Sequence, residues 1–95
     1  LAARTQPSSA AIATAVAGLS SYVHSPLHPT SSEVATLGND VCTAFDQGST
    51  DAQVQTALTA ALGKLPLTKV LPGAASYVVS SAVALYCPGY QSKLS

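Results

Sequence analysis

Thr30-Ser31-Ser32-Glu33-Val34-Ala35-Thr36-Leu37-Gly38-Asn39-Asp40-Val41-Cys42-Thr43-Ala44-Phe45 is the stretch that decides the fold class. A hydroxyl residue followed three positions later by Glu is a capping box: the hydroxyl accepts from the third helical amide, and the Glu reaches back to the amide of the cap. Val34, Leu37, Val41 and Phe45 then recur at the spacing of one α-helical face, with Cys42 beside it. This predicts a helix over 31–46, stopped by Gly48.

The same logic extends in both directions. Thr50-Asp51-Ala52-Gln53 is a second box, and Val54, Leu58, Ala61 and Leu62 line one face before Gly63, which predicts a helix over 51–62. Upstream, Ile12, Val16, Leu19 and Val23 mark a helix over 10–23 capped by Ser8 or Ser9. Pro26 and Pro29 disfavour helix at the residues before them, so 24–29 reads as an extended connector. Residues 64–71, with Pro66, read as a short turn. After Pro72-Gly73, a fourth apolar face of Val78, Val79, Ala82, Val83 and Tyr86 runs to Cys87 and ends at Pro88. Strand alternation is missing throughout. The expectation is an all-α, compact bundle of four to five short helices, with residues 1–8 as a flexible N-terminal arm and 9–95 as a single helical domain. Val41, Phe45, Val54, Leu58, Val79 and Val83 are its expected core anchors.

Composition narrows the function classes. Charged residues are 8% of the 95-residue chain and the formal net charge is zero, against about 25% charged in an ordinary soluble domain. Four scattered cations cannot build the basic patch that phosphate neutralisation needs, so nucleic acid is not an expected partner. The acids Glu33, Asp40, Asp46 and Asp51 sit in the middle of the chain, and Lys64, Lys69 and Lys93 in its last third. The apolar-rich run from Ala74 to Cys87 is shorter than the roughly 18–20 residues of a membrane span. Leu, Val, Ile and Phe together supply 22 residues, a thin core in which a cross-link would matter. The two cysteines, Cys42 and Cys87, read as one disulfide in an oxidising compartment and as two buried thiols otherwise. The absence of Met fits a processed chain, and processing fits export.

Three runs carry a family resemblance: Leu37-Gly38-Asn39-Asp40-Val41-Cys42, then Gly48-Ser49-Thr50-Asp51-Ala52-Gln53-Val54, then Ala82-Val83-Ala84-Leu85-Tyr86-Cys87-Pro88-Gly89-Tyr90. A Gly shortly before Val-Cys, a Gly-Ser turn opening the next helix, and a terminal Tyr-Cys-Pro with a Tyr soon after resemble the small secreted actinobacterial, mycobacterial-type domain of unknown function, number seven hundred and thirty-two. The likeness covers about residues 12–94. It implies export, an all-helical fold and a Cys42–Cys87 bridge, and it brings no activity. The connector Ser25-Pro26-Leu27-His28-Pro29 is richer in Pro and His than that pattern.

Candidate chemistry is sparse. The only imidazoles are His24 and His28, and no Gly-x-Ser-x-Gly occurs; Gly18-Leu19-Ser20-Ser21-Tyr22 lacks the closing Gly. His24 and His28 have the spacing of a helical zinc pair, but Pro26 lies between them. Tyr22, His24 and His28 place a phenol and two imidazoles within seven residues, and both groups are axial ligands in haem proteins. That trio is the candidate ligand site, against the plainer reading of two surface histidines in a Pro-fixed loop. The expectation is a secreted, non-enzymatic binding or assembly module of the cell envelope with no cofactor. Its partner would be another protein or a second copy of itself; the alternative is a carrier for haem or an apolar molecule.

Overall fold

A computed structural model describes residues 3–24, 31–64 and 69–94. Its elements run α1 (Ser9–Leu19), β1 (Val23–His24), α2 (Ser31–Asp46), α3 (Asp51–Gly63), β2 (Lys69–Val70), α4 (Ala74–Tyr86) and a 3-10 helix (Pro88–Lys93). The chain is therefore an all-α bundle, and its Cα radius of gyration of 12.5 Å is that of one domain, about 12–13 Å at this length.

Local chemistry sets most of the helix ends. Ser8 caps α1 by accepting from the Ala11 amide at 3.1 Å. The second capping box is complete: Thr50 Oγ1 accepts from the Gln53 amide at 3.2 Å, and Gln53 Oε1 accepts from the Thr50 amide at 2.9 Å. The first box begins at Thr30, which lies outside the described residues. α2 ends where Gly48 turns left-handed at φ 91°. There the amides of Gly48 and Ser49 donate to the carbonyls of Phe45 and Ala44, each at 3.0 Å, the paired bonds of a Schellman stop.

α2 and α4 make the most extensive helix contact, and α3 packs against both. Between them lie Val41, Phe45, Val54, Leu58, Val79 and Val83, all buried, so the anchors expected from periodicity form the core. Cys42 and Cys87 are bonded, with Cα atoms 6.1 Å apart, tying α2 to the end of α4.

Four features differ from the sequence expectation. α1 stops at Leu19 instead of 23. Ser20 Oγ turns back onto the Ala17 carbonyl at 2.6 Å, and the Tyr22 carbonyl is taken by the Leu71 amide at 2.7 Å. Val23 then faces Val70, and His24 faces Lys69, in a two-residue antiparallel pair. That pair is too short to leave an alternating pattern in sequence, and it occupies part of the segments read as connector and turn; residues 25–30 and 65–68 lie outside the described ones. Pro88 ends α4 but also opens the 3-10 helix, for which its fixed φ is suited. Lastly, the segment read as an arm is tied down: the Thr5 amide donates to the Tyr86 carbonyl at 2.8 Å, and Arg4 pairs with Asp46.

Candidate functional site

The trio singled out in sequence is not built as a pocket by its described members. Tyr22 stacks on Tyr77 with ring centroids 5.2 Å apart. His24 is exposed on β1, in register with Lys69, whose ammonium works against a metal cation there. His28 lies outside the described residues. Among the described residues, no group of three or more His, Cys, Asp or Glu could hold a metal ion, and no helix is long and apolar enough to cross a membrane.

Two tyrosines are placed by glycines. Gly38, buried in the middle of α2, lies so close to the Tyr86 ring that a Cβ there would stand 2.5 Å from Cδ2 and 2.6 Å from Cε2. Gly18 near the end of α1 receives the tip of Tyr77: a Cβ would stand 2.0 Å from its hydroxyl oxygen. That hydroxyl donates to the Ala15 carbonyl at 2.9 Å, which fastens α1 to α4. The usable signal in the sequence was Gly38 itself, because glycine inside a helix costs about 1 kcal/mol against alanine and marks a close approach.

The three helices so joined leave a cleft. Ala15 and Leu19 of α1, Val34 and Leu37 of α2, and Tyr77, Leu85 and Tyr86 of α4 are among the residues that line it. Its interior is about 30 Å³, about a tenth of the smallest ordinary drug-sized pocket, so it cannot admit haem as it stands. Tyr86 is 5% exposed, and its hydroxyl is buried without a hydrogen-bond partner among the described residues. The other tyrosines of α4 and the 3-10 helix differ: Tyr77 Oη reaches Ala15, and Tyr90 Oη donates to Asp46.

A polar junction lies at the far end of α2. The half-buried Asp46 carboxylate accepts from Tyr90 Oη and from Arg4. The Tyr90 hydrogen bond first, and the Arg4 guanidinium second, hold its pKa below the usual aspartate value. Lys93 Nζ lies 5.3 Å from the centroid of the Tyr90 ring, and that ring packs on Phe45 at 5.5 Å. The junction joins the N-terminal segment, α2 and the 3-10 helix. Asp51, buried at the first turn of α3, accepts from Gln55 Nε2 at 3.0 Å. These acids are bound into the fold, and neither lines the cleft between α1, α2 and α4.

Comparison with known proteins gives one match. The profile of the family described as "Protein of unknown function (DUF732)" fits residues 16–89. No curated protein and no solved structure matches.

Proposed function

The chain belongs to the DUF732 family, whose description assigns no activity, and from that premise we propose that it is a secreted, non-enzymatic binding or assembly module of the actinobacterial cell envelope, acting through protein–protein contacts. One observation carries this reading. Neither the 11 residues of α1 nor the 13 of α4 include a charged side chain, and the two helices pack against each other. Their exposed positions are Ser9, Ala10, Ala13, Thr14 and Ala17 on α1, and Ser76, Ser80 and Ala84 on α4. Covering such a surface strips no ion of its water and freezes few rotamers, two of the costs that oppose association. The Cys42–Cys87 bridge supports export, because structural disulfides persist in oxidising compartments.

The test is native mass spectrometry of the protein recovered, without refolding, from the medium or envelope of the producing cell. A multiple of the chain mass, or a complex with a second protein that Ala13→Lys or Ala84→Lys dissociates, is the expected result. A monomer at every accessible concentration, or retention of the protein in the cytosol, overturns it.

A carrier role keeps one observation in its favour, the apolar cleft between α1, α2 and α4. Neither Tyr22, committed to Tyr77, nor the exposed His24 adds to it.

A further inference from the structure

We propose that the cleft between α1, α2 and α4 is a binding site for a compact apolar molecule bearing a single hydrogen-bond acceptor, a ketone or ester carbonyl that takes the proton of the Tyr86 hydroxyl. The inference rests on the carrier reading and is independent of the protein–protein one.

The wall is mostly apolar: Ala15, Leu19, Val34, Leu37 and Leu85 present hydrocarbon, and Ser81 is the one serine among its lining residues. Set into it is Tyr86, nine-tenths buried, with its hydroxyl cut off from water and without a hydrogen-bond partner among the described residues. A buried hydroxyl without a partner is destabilising, and phenylalanine would supply the same ring without that penalty. Gly38 makes room for this ring at a cost to its own helix, since any larger residue would stand against Cδ2. The fold thus accommodates an aromatic residue with one free donor in a hydrocarbon setting.

One buried, unsatisfied donor in a mostly apolar slot selects the ligand. A peptide brings a backbone donor and acceptor with nearly every residue, and most would be left unsatisfied against these side chains. A water molecule wants two to four polar partners, and the apolar wall around Tyr86 is poor in them. A molecule with a hydrocarbon body and one acceptor leaves nothing unpaired. The interior of about 30 Å³ must widen to take it, and α1 is the wall that can yield. It has no fully buried residue, so moving it outward exposes less apolar surface than moving α2 or α4 would.

The experiment is an amide NMR titration of the oxidised full chain with 2-nonanone and, separately, with decane, which has the same number of heavy atoms and no acceptor. The expected result is saturable shifts concentrated at Leu19, Leu37 and Leu85, with 2-nonanone binding about tenfold more tightly than decane, the value of one hydrogen bond in a dry site. Tyr86→Phe keeps the ring and is expected to abolish or reverse the preference for 2-nonanone, because its carbonyl would then be buried without a donor while decane loses nothing. Ala15→Leu, which fills the cleft from α1 and leaves the hydroxyl intact, is expected to weaken both. Shifts that are absent, scattered or unsaturable overturn the proposal, as does a preference for 2-nonanone that survives Tyr86→Phe. The amide spectrum of each variant reports its folding in the same experiment. Protein recovered from the producing cell only as a free monomer, yet binding 2-nonanone, refutes the assembly reading alone, and an oligomer or complex that ignores both probes refutes this one alone.

Discussion

Replacing both cysteines by alanine tests the central structural claim, that one covalent bond supplies a large part of this domain's stability. Cys42 and Cys87 are separated by 45 positions. In the chain-entropy description, closing a loop of that length restricts the unfolded chain by about 4 kcal/mol at 25 °C. Both residues are fully buried where α2 meets α4, so removing the sulfurs also leaves small voids that add to the loss. Alanine is the better probe than serine, because Cys42→Ser or Cys87→Ser would bury a hydroxyl and confound the measurement. Domains of this size hold about 5–15 kcal/mol in total, and each kcal/mol shifts Tm by about 4–8 °C. The oxidised chain is therefore expected to melt about 15–30 °C above Cys42→Ala/Cys87→Ala. Urea and thermal unfolding followed by far-UV circular dichroism measure this directly, with the reduced wild-type chain as a second reference that should track the variant. A double-alanine variant within about 1 kcal/mol of the oxidised wild type would refute the reasoning and show that the unfolded chain gains little from losing the link.

Three further outcomes follow from the geometry. Gly38→Ala drives a methyl group into the middle of the Tyr86 ring and is expected to cost about 1–3 kcal/mol by urea unfolding; Gly18→Ala meets only the tip of the half-buried Tyr77, which can swing outward, so the smaller of the two losses belongs to it. Thr50→Ala removes one half of the capping box on α3 and is expected to cost about 1 kcal/mol in the same assay, with Thr50→Ser restoring most of it. Asp46 titrates below its ordinary value in the fold because Tyr90 and Arg4 bond to the ionised form, so its contribution is present above the unfolded-state pKa, about 3.9, and is lost as pH falls through the lower folded-state value. The difference in urea midpoint between wild type and Asp46→Asn should therefore shrink below about pH 4; a difference constant from neutral to acid pH would show that the carboxylate is not held in its ionised form.

What the sequence determined by itself is whatever repeats within one element. Helices α2, α3 and α4 each carry an apolar face at helical spacing, with α3 opened by a capping box and α2 and α4 closed by Gly48 and Pro88. Those signals depend on residues three and four apart, so they can be read without knowing the neighbours. The core anchors Val41, Phe45, Val54, Leu58, Val79 and Val83 were legible for the same reason, and the pairing of Cys42 with Cys87 followed from the family pattern. What the tertiary structure alone decided depends on residues far apart in the chain. The end of α1 is set by Leu71 taking the Tyr22 carbonyl, and β1 exists because β2 lies beside it. Arg4 and Thr5 are held by Asp46, Leu85 and Tyr86, at least 42 residues away. The candidate site is of the same kind. Tyr22, His24 and His28 are close in sequence, but Tyr22 packs inward on Tyr77 while His24 faces solvent. Tyr86, by contrast, acquires its seat from Gly38 on another helix and its apolar setting from α1. A hydroxyl's partner, or the lack of one, is a property of three packed helices, and no local periodicity encodes it.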